Sequence, residues 1–330
     1  MANPQKTKAQ HFVPRSYLKQ FVNDKHLYVL NLETLRKGWK EFPRKQTPAG
    51  ICYAEDYYTI REDHQNHYFG LGGRDSHFVE DQVLKSLEDH YPVLLQKITT
   101  KMQINMADAI AMSDFITTVN LRNPYWFEHV VKKNIRAWAE KLLPELVEQR
   151  KKQDERFARL PDELYQWMID SLLQSQDEDP DYARQFMLFS LIARYSDEND
   201  RNKQMREKVI DCSWQLFEAP AEGPYFITTD NPGAAVELAN NQKHSIKLDG
   251  GFALFFPLSH RYALVFTDQL KDNAFSKKHE HKEIYRVAAN AEMVMFINDT
   301  LIQVANKLLI AATSDYLGDI ADKNKPPEKG

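Results

Sequence analysis

Five polar side chains interrupt apolar stretches of this 330-residue chain: His11, Glu80, Glu88, Arg122 and Asp230. An imidazole that meets two carboxylates can hold a divalent ion, or can act as a general base with its ring oriented by an acid. In that scheme His11, Asp230 and Arg122 form the catalytic set, with His11 as base and Arg122 as phosphate clamp. Glu80 and Glu88 are then the candidate metal ligands. The competing reading is a buried Glu–Arg network that only locks helices together.

Spacing supports the grouping of the two glutamates. Eight positions on an α-helix place Glu80 and Glu88 within about 80° of each other. Glu80 lies between Val79 and Val83, and Glu88 follows Leu87, so both stand at the edge of an apolar stripe. A carboxylate buried there needs a neutralising partner, and Arg122 is a natural one. Asp230 follows Tyr225-Phe226-Ile227-Thr228-Thr229, a β-branched and aromatic run that reads as a strand. Asp230-Asn231-Pro232 stops it, because Asp and Asn bond their own backbone in turns and Pro cannot donate to a ladder.

These residues have to be positioned by a mixed set of elements. Pro14 to Phe21 reads as a short helix and Leu27–Leu30 as a strand. Glu33–Lys37 reads as a polar hairpin, with Trp39 and Phe42 on its return strand. Ile51–Ile60 ends in a second strand-like piece. Apolar residues from Val79 to Met102 recur at helical spacing, with Pro92 inside the run. Further helices are expected over 107–121, 125–138, 142–159, 163–173, 181–194 and 203–217, with an acidic loop at 174–179. Phe252–Phe256 and Tyr262–Phe266 read as a hairpin. Residues 234–249 read as loop, and 282–296 and 301–317 as C-terminal helices. The sum is α+β, predominantly helical, with a small mixed or antiparallel sheet built from N-terminal and C-terminal strands. Residues 1–330 read as a single domain: a strand and loop region (1–75), a helical block (76–217), strands and helices (218–320), and a disordered tail (321–330).

Composition narrows the function classes. Hydrophobic residues make up 42% and aromatics 12%, enough for a sizeable core. The net charge of −4 removes a globally basic surface, so any nucleic-acid contact must be local. Neither a signal-peptide run nor a stretch of about 20 apolar residues is present, and a cytoplasmic protein with no membrane partner is expected. Cys52 and Cys212 lack the spacing of a thiolate zinc cluster. His64 with His67, and His279 with His281, lie in polar stretches without a third ligand and read as surface. Gly70, Gly72 and Gly73 do not follow a strand and form no phosphate loop. Lys132-Lys133 with Arg136, near Tyr125, Trp126 and Trp138, and Arg150-Lys151-Lys152 are basic clusters. The first could contact nucleic acid by charge and stacking; such runs are more often a solvated helix face.

Several separated motifs carry a family resemblance. Gln10-His11-Phe12-Val13-Pro14-Arg15-Ser16-Tyr17-Leu18-Lys19-Gln20-Phe21 resembles the His-x-Val-Pro-x-x-Tyr-Leu-x-x-Phe opening of the bacterial "domain of unknown function forty-two thirty-eight" family. Tyr57-Tyr58-Thr59 resembles its aromatic-Tyr-Thr element. Glu80 and Glu88 match its pair of helical glutamates, and Leu121-Arg122-Asn123-Pro124 its Arg-x-Pro step. Phe226 to Pro232 resembles its Ser/Thr-Asp-Asn-Pro motif, with Thr229 where Ser is commoner, and Phe256-Pro257-Leu258-Ser259 its Pro-Leu-Ser. The resemblance implies kinship and assigns no activity. The His11 opening is also similar to the first His of HNH nucleases, but the Asn-x-x-x-His tail of those enzymes is absent.

Two functions follow as expectations. One is a hydrolase assisted by a divalent metal ion, in its narrower form a nuclease in bacterial defence or a toxin, with nucleic acid as partner. The other is a non-catalytic module that binds a ligand, a protein partner or a second copy of itself.

Overall fold

The computed structural model describes residues 9–61, 76–179, 181–194, 200–246, 248, 250–269 and 277–323. His64, His67 and the three glycines at 70, 72 and 73 lie outside them, as does the tail beyond Lys323. The fold is α+β. A six-stranded sheet has the order Tyr285–Ala288, Ser213–Glu218, Tyr262–Thr267, Phe252–Pro257, Ala234–Glu237, Lys243–His244. Its pairs are antiparallel except the first, which is parallel.

Strict alternation explains why the central strands of this sheet are buried on both faces. Phe252, Leu254, Phe256, Leu264 and Phe266 join one core cluster, with Tyr91, Ile98, Phe115 and Ile116 from the helices Lys85–Thr100 and Met106–Leu121. Ala253, Phe255, Ala263 and Val265 point the other way, into a second cluster with Val294, Ile297 and Leu301 of the helix Ala291–Val304. Successive strand side chains face opposite sides, so one strand feeds two cores. Each fully buried Phe or Leu there is worth about 1.5–3 kcal/mol of transfer free energy.

A second, four-stranded sheet joins the two ends of the chain. Its order is Arg44–Gln46, Leu27–Asn31, Leu308–Ala311, Thr228–Thr229, all antiparallel. Tyr17 ties it to the first core: its hydroxyl lies 2.7 Å from Thr228 Oγ1 and donates to the Pro257 carbonyl at 2.9 Å. Ala9–His11 pairs with Tyr53–Glu55 in a separate ribbon, with His11 opposite Tyr53.

Several segments differ from the sequence expectation. Glu33–Lys37 is not a hairpin. Leu32–Arg36 is a helix capped by Asn31, whose side chain accepts from the Thr34 amide at 3.1 Å, and Gly38 ends it at φ 71°. The helix expected over 203–217 stops at Asp211, and Ser213–Glu218 is a central strand. Residues 281–283 and 285–288 are strands, and the helix begins only after Asn290, which caps it. Leu308–Ala311 is a strand inside the expected 301–317 helix. The stretch 174–178 continues the helix Asp162–Glu178, and the expected loop at 234–249 holds two strands. In the strands Ser213–Glu218, Tyr285–Ala288 and Leu308–Ala311 a short apolar run fits both periods, and pairing partners far away in sequence decide.

Candidate functional site

Arg122 is the hub. The helix Met106–Leu121 ends at Arg122, and Asn123 turns extended and caps the next turn, with Pro124 in its first position. Asn123 Oδ1 accepts from the Trp126 amide at 2.9 Å. This stop places the Arg122 side chain inside the protein at 1% exposure. Its Nη2 donates to Glu88 Oε1 at 2.9 Å and its Nε to the Phe12 carbonyl at 3.2 Å. Tyr58 lies under the guanidinium, 5.9 Å from ring centroid to Cζ, and donates its hydroxyl to the Arg122 carbonyl. Arg122 is thus already neutralised and hydrogen-bonded. These bonds anchor the guanidinium between Glu88 and the Phe12 carbonyl through its Nη2 and Nε.

Glu80 sits in the π-helical stretch Val79–Leu84 that leads into the helix Lys85–Thr100. Such stretches often mark functional positions. Burial pushes the Glu80 carboxyl up to about 7, against the pull of Arg122 and with a further push from Glu88. Its Oε2 is buried without a hydrogen-bond partner. His11 is displaced the opposite way. Burial and the charges of Arg15 and Arg122 lower its pKa, while hydrogen bonds to the backbone at Ala49 and Pro48 partly offset them. His11 Nε2 is also buried without a partner. A ring held by backbone carbonyls on one side keeps its other nitrogen free to take a proton.

Four of the five residues singled out from sequence therefore share the field of one guanidinium. Asp230 is held by a different set of partners. It lies 4% exposed after the strand Thr228–Thr229. Its carboxylate accepts from the amides of Asn306 at 3.1 Å and Lys307 at 2.9 and 3.1 Å, and its own amide donates to the Leu308 carbonyl. Burial still pushes it up to about 6. It faces a cleft of about 420 Å³ with Phe12, Arg44, Cys52, Tyr53 and Lys307. Cys52 holds φ 55°, a strained value for a residue with a side chain, and burial and the Asp230 charge raise its thiol pKa. The Cys52 carbonyl accepts from Phe12 and Val13, so the two polar regions flank one segment.

Metal ligation by Glu80 and Glu88 has little geometric support. Among the described residues no group of three His, Cys, Asp or Glu side chains is disposed to hold a metal ion. One Glu88 oxygen is already bound to Arg122, and a buried guanidinium repels a second cation.

The sequence reading missed the residues that hold the site. Gln10 is buried and accepts from the Tyr58 amide. Asn231 Oδ1 accepts from Asn123 and from Ser245, and its Nδ2 donates to the Val304 carbonyl at 2.8 Å. The signal for both asparagines was their position directly before a proline. His279 and His281 are exposed, as expected. Within the basic runs of the helix Lys132–Gln153, Lys132 pairs with Glu128, Arg136 with Glu140, Arg150 with Asp154 and Lys151 with Glu148.

A family model described as "Protein of unknown function (DUF4238)" matches residues 9–315. No curated protein and no solved structure matches the chain. Among the described residues no helix is long and apolar enough to cross a membrane.

Proposed function

The chain belongs to the DUF4238 family of proteins of unknown function, and from that premise we propose that it is a hydrolase whose acid–base pair is Glu80 and His11. The observation that carries this is a pair of unpartnered buried atoms, Glu80 Oε2 and His11 Nε2, on groups displaced in opposite directions toward neutrality. Near pH 7 His11 is neutral and can take a proton, and about half of Glu80 is protonated and can give one. His11 Nε2 removes the proton of the attacking hydroxyl, and Glu80 protonates the leaving oxygen. Two such groups suffice for phosphodiester cleavage, and the narrower form of the proposal is a nuclease, working in bacterial defence or as a toxin. The buried thiols of Cys52 and Cys212, neither of them in a disulfide, support a reducing, cytoplasmic setting.

The test is turnover of single-stranded RNA, single-stranded DNA, duplex DNA and a chromogenic phosphodiester, each with EDTA and with Mg²⁺ or Mn²⁺. The expected result is turnover that persists in EDTA and is lost in His11→Ala and Glu80→Gln at unchanged melting temperature. Turnover that depends on added metal would restore the metal-assisted form. No turnover of any substrate would leave the second reading, a binding module, which the 420 Å³ cleft beside Asp230 favours.

A further inference from the structure

The segment Arg36-Lys37-Gly38-Trp39-Lys40-Glu41-Phe42-Pro43-Arg44-Lys45 carries five basic residues and one acid in a chain whose net charge is −4. It runs from the end of the helix Leu32–Arg36 into the edge strand Arg44–Gln46. Its aromatic rings are not in the core. Trp39 is 63% and Phe42 52% exposed, and Tyr53, across the adjoining cleft, is 44% exposed. Large rings left in water beside cations need a reason, because burying them would be worth about 1.5–3 kcal/mol each.

We propose that this segment, with Tyr53 and the adjoining cleft, binds single-stranded nucleic acid. The inference rests on the hydrolase reading for its purpose and names that enzyme's substrate class. Every base presents a π-face once unstacked, and exposed Trp, Phe and Tyr rings beside Lys and Arg are the sequence-tolerant way to hold a single strand. Lys37 Nζ lies 5.6 Å from the Trp39 ring and Lys40 Nζ 5.0 Å from the Phe42 ring. At exposed positions such cation–π contacts are worth about 0.5–1 kcal/mol, whereas a stacked base is worth about 1–3 kcal/mol. A base therefore displaces the ammonium from the ring, and the ammonium swings to the phosphate.

Lys37 is held by Glu33 at 2.8 Å and Arg36 by the Asn306 and Ala305 carbonyls, so the charges available for this are those of Lys40, Lys45 and the exposed Arg44. Among the described residues neither Lys40 nor Lys45 has a carboxylate partner, in contrast to Lys132, Arg136 and Arg150 along the helix Lys132–Gln153. Arg44 is 70% exposed at its side chain although it touches Glu41, and it lines the cleft with Gln46, Tyr53 and Lys307. The acids nearby do not oppose a phosphate fully. Glu41 is buried against Arg44, and Asp230 is covered by backbone amides. The cleft volume falls in the range of about 300–1,000 Å³ typical of small-ligand sites, so it can take one base or sugar. The surface also leads to the proposed chemistry. Tyr53 pairs with His11 across the ribbon, and their rings are 5.7 Å apart.

Fluorescence anisotropy of the full chain with labelled twelve-nucleotide oligo(dT) and oligo(U) tests the proposal. A twelve-base-pair duplex, polyglutamate and anionic phosphatidylserine vesicles serve as competing occupants. Wild type is expected to bind the single strands over the duplex, with the DNA and RNA arms deciding which sugar it prefers. Trp39→Ala and Phe42→Ala should each weaken binding by roughly 5- to 100-fold at unchanged melting temperature, since both rings are exposed. Lys40→Ala with Lys45→Ala should reduce the salt slope by about 0.7 per charge removed. Lys132→Ala with Lys133→Ala should leave binding intact. Binding that ignores the Trp39 and Phe42 changes, or that favours polyglutamate or vesicles, overturns it. Glu80→Gln is expected to bind like wild type, so failure of hydrolysis and failure of this surface are read separately.

Discussion

Asn123 Nδ2 donates to Asn231 Oδ1 at 2.7 Å, between residues 108 positions apart. The bond joins the step that ends the helix Met106–Leu121 to the turn that follows the strand Thr228–Thr229. Both asparagines are fully buried, and each has further partners: Asn123 caps Trp126, and Asn231 receives Ser245 Oγ at 2.9 Å. One side-chain pair thus fixes where Arg122 and Asp230, the two neighbouring charged residues, can lie.

Asn231→Ala removes the acceptor that Asn123 Nδ2 and Ser245 Oγ share, leaving them their Asn120 acceptors, and takes the donor from the Val304 carbonyl; it should cost about 2–4 kcal/mol. Asn123→Ala should cost a similar amount, because it also removes a helix cap worth about 1 kcal/mol. The double variant should fall short of the sum by about 0.5–3 kcal/mol in urea unfolding. Strict additivity would show that the two side chains do not act as a unit.

Asp230→Ala removes the acceptor of the Asn306 and Lys307 amides and should destabilise by about 2–4 kcal/mol. The pH dependence has a definite sign. The folded pKa of about 6 lies above the usual 3.8, so the folded state holds a proton that the unfolded chain releases. This contribution is fully present below about pH 4 and is lost as pH rises through 6, by about 3 kcal/mol. Asp230→Asn keeps one acceptor and should flatten that slope. Parallel stability curves for wild type and Asp230→Asn between pH 4 and 7 would refute it.

Glu88 raises the Glu80 pKa while Arg122 lowers it. Glu88→Gln removes the repulsion and leaves Glu80 as the carboxylate that answers Arg122. The Glu80 pKa should then drop below its present value of about 7, read from the carboxyl ¹³C shift in an NMR titration. A rise, or no change, would mean that the three groups do not share one field. Arg122→Met should cost about 3–5 kcal/mol, because it strands Glu88.

If His11 is the base and Glu80 the acid, hydrolysis should follow a bell. The rate rises with pH as His11 loses its proton, below its usual 6.5, and falls as Glu80 loses its own near 7. Glu88→Gln should move the falling limb to lower pH along with the Glu80 pKa. A rate that climbs monotonically through pH 8 would remove Glu80 from the acid role.

Parts of the site were legible in the chain because they depend on local rules. Asp230 ends a strand because Pro232 cannot extend one, and Arg122 ends a helix because Asn123-Pro124 starts another. The pairing of Arg122 with a glutamate followed from a charge embedded among apolar residues. Leu308–Ala311 and Tyr285–Ala288 were read as helix because their apolar residues fit either period, and only their partners, Leu27–Asn31 and Ser213–Glu218, decide.

The amino-acid order alone determined the α+β class, the alternation that feeds two cores, and the stops that place polar residues at element ends. Tertiary structure alone decided that Glu88 rather than Glu80 takes the hydrogen bond from Arg122, that Glu80 and His11 keep one free atom each, and that Asp230 accepts from the Asn306 and Lys307 amides. Those outcomes turn on desolvation and on partners more than thirty positions away, and neither quantity is written in any local stretch of sequence.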